Sequence, residues 1–228
     1  MKSPPNQKTA TEPFRAELLS RRWLSDATFE IELARPSLFE FNPGQSIRVI
    51  HQQLERDYSL VSDPTGPTLS LCIRNVQDGS LTPLLATAKI CSKISFTGPH
   101  GYFTFRPSQR PPLFIATGTG VAPFASMVRS GVKGFTLLHG VQGPSDLYYH
   151  SFFRTAAERY VPCLSGLSPE STKQHDAFKG RVTDYLKKNL PPGIYDFYLS
   201  GRVEMVRDVT HIVDERFPGS LVYTEIFY

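Results

Sequence analysis

Two short segments of this chain carry the residue types that cofactor redox chemistry needs. Arg56-Asp57-Tyr58-Ser59 places a cation, a flat ring and a hydroxyl within four residues. An isoalloxazine requires those three things: a charge for its phosphate, an apolar cover, and hydrogen bonds along its N5 and O4 edge. On a strand, period-two alternation sends Arg56 and Tyr58 to one face and Ser59 to the other. The same four residues also suit an ordinary half-exposed strand. The second segment, Gly118-Thr119-Gly120-Val121-Ala122-Pro123, reads as the turn of a strand–turn–helix unit that cradles phosphate. Gly118 and Gly120 let the backbone approach a ligand. Pro123 takes the place of a third glycine in the first helical turn, where its missing N–H costs nothing. The standard dinucleotide fingerprint is not met, and His139-Gly140 stands at the end of the next strand where a ribose-binding acid is expected.

A third segment, Gly79-Ser80-Leu81-Thr82-Pro83, opens a helix expected over 82–87 with Thr82 as N-cap and Pro83 at N1. Free amides at a helix start suit a pyrophosphate, and Arg74 lies on the strand leading in. A plain capped helix accounts for the same residues.

The elements that must position these segments change period midway. The first half predicts strands over 14–19, 28–33, 46–50, 57–61, 68–74 and 93–96, six short strands between turns, which suggests a small barrel. Gly98-Pro99-His100-Gly101-Tyr102-Phe103 closes it with a turn, and the proline-rich stretch 106–112 reads as a linker. Beyond it, strands over 112–117, 134–139, 160–164, 195–200 and 221–225 alternate with helices over 123–129, 146–158, 182–189 and 204–217, an open α/β half. The expected organisation is an arm over 1–13, a barrel domain over 14–107 and an α/β domain over 108–228.

A length of 228 residues accommodates two domains. No apolar run approaches the roughly 20 residues of a membrane span. The polar start carries no apolar segment behind its lysines, so it reads as a loose arm and not a signal peptide, and the location expected is cytoplasmic. A net charge of +4 without a basic, aromatic-interleaved run argues against nucleic acid, while a mild basic bias suits an acidic protein partner. Cys72, Cys91 and Cys163 are too widely spaced for a zinc or iron–sulfur centre, so no metal site is expected and all three read as buried free thiols.

Arg56-Asp57-Tyr58-Ser59, Gly79 to Thr82, Gly98 to Phe103, Gly118 to Pro123, Ser200-Gly201 to Met205 and the aromatic C-terminus together resemble the ferredoxin-NADP reductase family, over roughly 14–228. The stretches 73–76 and 95–103, with Asp146-Leu147-Tyr148-Tyr149, are most similar to reductases that serve aromatic-ring oxygenases, without their iron–sulfur domain. The resemblance implies a six-stranded antiparallel flavin-binding β-barrel followed by a five-stranded parallel-sheet NAD(P)-binding domain. It implies bound FAD, with Arg56 on the flavin phosphate, Tyr58 against the isoalloxazine, Ser59 near N5, and Arg74, Gly79, Ser80 and Thr82 around the pyrophosphate. Gly118, Thr119, Gly120, Val121 and Pro123, with Ser200, Gly201 and Met205, would line the nicotinamide side. Glu225 and Phe227 or Tyr228 would lie near the outer flavin face, Phe227 fitting the stacking position better.

Two departures from the family pattern bear on activity. Relatives generally carry Cys where Ser200 stands, and slower hydride transfer is expected here. Family members that use NADP place cations where Gln142 and Ser165-Gly166 stand, so NADH is preferred unless Lys173 or Arg154 substitutes. The implied reaction is hydride transfer from NADH (or NADPH) to FAD, then single-electron release to a separate carrier: a ferredoxin, a Rieske protein or an oxygenase component. The alternatives are a reductase of free flavin and a catalytically silent subunit or redox sensor.

Overall fold

The computed structural model describes residues 12–166 and 176–227. Most of the expected arm 1–13, along with Lys173 and Tyr228, lies outside the described residues. Strands β1 (Phe14–Ser25), β2 (Thr28–Ala34), β3 (Ser46–His51), β4 (Leu54–Ser59), β5 (Thr68–Arg74) and β6 (Lys93–His100) form one antiparallel sheet in the order β4-β3-β6-β1-β2-β5. A bridge between Leu60 and Leu71 ties the end of β4 to β5, so the two edges meet and the sheet rolls up as a barrel. Alternation explains its interior. Phe29, Ile31 and Leu33 of β2 point inward beside Ile47, Val49, Leu69, Leu71 and Phe96, all essentially inaccessible to solvent. β1 runs six residues past its expected end, because register shifts between Leu18 and Ser20 and between Trp23 and Ser25 break the alternation without ending the pairing with β2. The short helix α1 (Thr82–Thr87) packs Leu85 and Ala86 onto this core.

The second half is a parallel sheet of β7 (Pro112–Thr117), β8 (Thr136–Val141), β9 (Arg159–Leu164), β10 (Phe178–Lys179), β11 (Asp196–Arg202) and β12 (Leu221–Phe227), ordered β10-β9-β8-β7-β11-β12. It has six strands where five were expected. The extra one, β10, is two residues long, too short to carry any periodicity, and pairs only at Phe178↔Cys163 and Lys179↔Leu164. Helices α2 (Ala122–Arg129), α3 (His150–Ala156), α4 (Val182–Asn189) and α5 (Val203–Arg216) accompany the sheet. The helix expected over 146–158 is shorter: a 3-10 turn (Pro144–Asp146) precedes it, and Tyr149, left-handed at φ 58°, delays its start. The central strands β7, β8 and β11 are almost wholly buried, as a sheet covered on both faces requires.

The connection between the sheets is held down at both ends. The Tyr198 hydroxyl accepts from the Arg106 N–H at 3.0 Å. Buried Asp196 accepts from the Ser108 hydroxyl at 2.5 Å and from the Arg110 guanidinium at 3.2 Å. Of the three thiols, Cys72 and Cys163 are buried as expected, whereas Cys91 is exposed, because it sits in a left-handed turn (φ 69°) just before β6. No helix among the described residues is long and apolar enough to cross a membrane, and no cluster of three or more metal-ligating side chains occurs among them.

Candidate active site

Strand β4 delivers Arg56, Asp57, Tyr58 and Ser59 to the edge of the barrel sheet. Arg56 is exposed, its guanidinium donating to the neighbouring Glu55 carbonyl. Tyr58 packs its ring on the barrel core while its hydroxyl is buried without a partner, and burial pushes the phenol up to about 12. Ser59 is 4% exposed, and its Oγ also lacks a partner. Asp57 is gripped from β3 by Arg48, Nε to Oδ1 at 2.7 Å and a second guanidinium nitrogen to Oδ2 at 2.8 Å. That forked pair holds the Asp57 carboxyl below the usual range. Sequence reasoning passed over it because the Arg48↔Asp57 register becomes visible only once β3 and β4 are paired.

The loop from Arg74 to α1 corrects one expectation. Leu81, not Thr82, is the N-cap, and no side chain caps the helix. The Thr82 hydroxyl instead reaches back six residues, accepting from the Val76 N–H at 3.0 Å and donating to the Val76 carbonyl at 3.2 Å. Thr82 therefore clips the loop shut. Gly79 sits inside the clip, where an added Cβ would meet the Val76 oxygen at 2.9 Å and Thr82 Oγ1 at 3.1 Å. Arg74 and Ser80 are exposed on either side, and Asn75 Oδ1 is buried without a partner.

In the parallel sheet, β7 runs into a 3-10 turn (Gly118–Val121) and then α2, with Pro123 in the first turn as expected. The tip of β7 and the end of β11 touch backbone to backbone. A Cβ on Gly120 would meet the Ser200 carbonyl oxygen at 2.2 Å, and one on Gly201 (φ 138°) would meet Thr117 Oγ1 at 2.1 Å. Only glycine at both positions permits this contact. It is fastened by the Arg202 N–H, which donates to Thr117 Oγ1 at 3.1 Å. Gly118 and Thr119 are half-buried at the surface of the turn, with Gly120, Val121 and Pro123 buried behind them. Ser200 is fully buried with an unpartnered Oγ, and Met205 is buried in the first turn of α5.

Strand β12 brings Glu225 into register with Ser200 and Phe227 into register with Arg202. Burial first, and the negative charge of Asp57 second, push the Glu225 carboxyl up to about 7. Asp57 of the barrel thus lies within electrostatic reach of Glu225 of the parallel sheet. Phe227 is half-buried two residues further along β12.

Two further groups escaped sequence reasoning. His139 is buried within β8, which continues to Val141, so it lies inside the strand and not at its end. The signal available was an imidazole inside an apolar run. The seam between the sheets is the other: the Tyr149 hydroxyl donates to Glu30 at 2.6 Å, the Tyr148 hydroxyl to Thr28 Oγ1 at 2.7 Å, Ser126 Oγ to the Ser62 carbonyl at 2.8 Å, and Arg129 to the Val61 carbonyl at 2.5 Å. At the far end of the parallel sheet, Gln142 and Gly166 are neighbours, the Gly166 N–H donating to the Gln142 carbonyl at 2.9 Å.

Family models match nearly the whole of both halves: an oxidoreductase FAD-binding domain over residues 16–105 and an oxidoreductase NAD-binding domain over 114–211. The chain is 32% identical over 222 residues to the toluate 1,2-dioxygenase electron transfer component of Pseudomonas putida, covering 90% of this chain and 65% of that relative. It is 28% identical to ferredoxin–NADP reductase B of Sorangium cellulosum, covering 87% of this chain and 91% of the relative. The chain therefore spans slightly less than two thirds of the dioxygenase component it matches. In fold it is similar to a ferredoxin NADP+ reductase from Neisseria gonorrhoeae solved with FAD and NADP, at a TM-score of 0.83 and 21% identity over 96% of this chain and 100% of that one. With both domain models in sequence and relatives matched over nearly all its length, the chain belongs to the ferredoxin-NADP reductase family of FAD- and NAD-binding oxidoreductases.

Proposed function

We propose that this chain is an NAD(P)H-dependent flavoprotein reductase that passes a hydride to bound FAD and single electrons onward to a separate carrier protein. The observation that carries this reading is the set of buried hydroxyls left without partners, Tyr58 Oη, Ser59 Oγ and Ser200 Oγ. Each costs about 1–3 kcal/mol while unsatisfied. A ring system with donors and acceptors along one edge satisfies them, so the residues present fit a flavin on one side and a nicotinamide on the other. Bound FAD supplies the conversion between two-electron and one-electron transfer.

The chain's residues do the binding and the orienting. Residues 14–107 form the flavin unit and 108–228 the nucleotide unit. Tyr58 covers the ring, Ser59 hydrogen-bonds its reacting edge, and exposed Arg56 meets the phosphate. Arg74, Gly79 and Ser80 face the pyrophosphate from a loop that Thr82 holds in shape. Gly118, Thr119, Gly120, Val121 and Pro123, with Gly201 and Met205, shape the nicotinamide side, and Phe227 covers the outer face. Ser200 contacts the reacting centre, while Glu225 holds or releases a proton beside it near pH 7.

The carrier is a ferredoxin, a Rieske protein or an oxygenase component. The dioxygenase and monooxygenase reductase components among the relatives and the net charge of +4 both support it. The nucleotide is NADH, since neither exposed Gln142 nor its neighbour Gly166 offers a cation to a 2′-phosphate. The location is cytoplasmic.

The test is the visible spectrum of the purified protein, followed by NADH and NADPH added separately without oxygen. Bleaching of a bound flavin band at about 450 nm, faster with NADH, followed by ferricyanide reduction, is the expected result. Colourless protein that reduces added flavin points to a free-flavin reductase, and protein that oxidises neither nucleotide points to a silent subunit.

A further inference from the structure

Among the buried titratable side chains of the parallel sheet, His139 is the imidazole, and the chemistry above does not use it. His139 is 0% exposed. Its Nε2 lies 3.1 Å from the Gly118 carbonyl oxygen and its Nδ1 3.2 Å from the Tyr160 hydroxyl. A carbonyl only accepts, so Nε2 carries the hydrogen, and Nδ1 accepts from Tyr160. Burial pushes the imidazole down to about 4, which keeps the ring neutral at working pH. One bond goes to the main chain of the glycine turn and the other to a tyrosine of β9, so both nitrogens are committed.

The consequence is directional. The peptide joining Gly118 to Thr119 is planar and trans, so its C=O and N–H point opposite ways. With the oxygen drawn inward onto His139, the Thr119 N–H is aimed outward, on the half-buried surface of the turn. A Cβ built on Gly118, whose φ is 53°, meets nothing within 4 Å, so side-chain packing adds little here. The His139 bond adds a side-chain restraint on this carbonyl to that of the 3-10 turn over Gly118–Val121.

We propose that His139 is a positioning residue for the nicotinamide nucleotide: by holding the Gly118 carbonyl inward, it presents the Thr119 amide to the bound nucleotide. The inference rests on the reductase reading above and adds a residue to it. An apolar side chain at 139 fills the volume but removes the side-chain restraint on the Gly118 carbonyl, whereas an amide of similar reach keeps the donor.

The experiment compares FAD-loaded wild type, H139L and H139Q by NADH oxidation with ferricyanide and by calorimetric titration with NAD+. In H139L, the KM for NADH and the Kd for NAD+ rise about tenfold, the loss of one well-placed hydrogen bond, while kcat and flavin content stay within about twofold. In H139Q both constants return to within about threefold of wild type. Unchanged constants in H139L, or equal losses in the two variants, overturn the proposal. So does wild type that binds no NAD+. Wild type that binds NAD+ but oxidises no NADH, with H139L weakened and H139Q restored in the titration, sinks the reductase reading and leaves the positioning role standing. If H139L does not fold, the Nε2–H resonance of His139 in wild type is followed by NMR as NAD+ is added: a shift supports the proposal and its absence overturns it.

Discussion

Ser200 and Glu225 stand opposite one another on the paired strands β11 and β12, so a buried hydroxyl without a partner sits next to a carboxyl held near neutrality. That carboxyl is pushed up by burial and by Asp57, a residue of the other sheet. Its protonation therefore reports how the two halves meet.

Glu225 makes stability fall with rising pH. Its folded value of about 7 lies above the ordinary 4.5, so the folded state keeps a proton that the unfolded chain has lost. The stabilisation is full below about 4.5 and is lost as pH rises through about 7. Glu225→Gln removes the titration. The Tm of E225Q minus that of wild type grows by about 3 °C between pH 5 and 8, corresponding to about 1 kcal/mol. A gap that does not change with pH contradicts this. Asp57→Asn lowers the Glu225 titration without restoring it to the ordinary value, since burial remains, and carboxyl NMR shifts read it directly.

Gly120→Ala damages the protein where Gly143→Ala does not. The new methyl at 120 would lie 2.2 Å from the Ser200 carbonyl, which is backbone and cannot swing aside, whereas a Cβ at 143 meets nothing within 4 Å. Thermal unfolding places G120A about 2–3 kcal/mol below wild type and G143A within about 0.5 kcal/mol. Nucleotide binding weakens in G120A alone.

Ser200→Ala and Ser200→Cys separate folding from activity. The Ser200 hydroxyl is buried without a partner, so alanine relieves about 1 kcal/mol in flavin-free protein and raises its Tm. The same change slows flavin reduction, measured by stopped flow. Cysteine, the residue usual in relatives, speeds it several-fold by bringing the nicotinamide closer. A Tm unchanged in S200A and a rate unchanged in S200C would falsify the two halves of this prediction separately.

Tyr149→Phe weakens the seam without touching the site. The hydroxyl's 2.6 Å bond to Glu30 is lost, leaving a half-buried carboxylate short of a donor although Arg22 still reaches it at 3.0 Å. Stability drops by about 1–2 kcal/mol, while the KM for NADH stays within about twofold.

The elements with clean periodicity were legible in the sequence. The alternation of 28–33 is that of β2, and the strands read over 68–74, 112–117 and 195–200 are β5, β7 and β11. What stayed hidden depends on partners distant in the chain. Thr82 reads as a cap because Ser and Thr before Pro usually are, and only the fold brings the Val76 peptide within its reach. The Arg48–Asp57 fork needs the β3–β4 register, and the His139–Gly118 bond needs β7 beside β8. Two-residue β10 carries no pattern at all. The glycine turn and the β4 tetrapeptide were readable because their chemistry is local. The meeting of Glu225 with Asp57 was not.

The seam sets a rule for exchanging halves between relatives. Tyr148, Tyr149, Ser126 and Arg129 bond to Thr28, Glu30, Ser62 and Val61, and two of those four acceptors are main-chain oxygens. A main-chain oxygen is offered by any sequence that keeps the backbone path, so Ser126 and Arg129 travel freely with a transplanted second half. Tyr148 and Tyr149 do not, because they need a hydroxyl and a carboxylate on β2. A chimaera built from this chain must inherit Thr28 and Glu30 together with the two tyrosines.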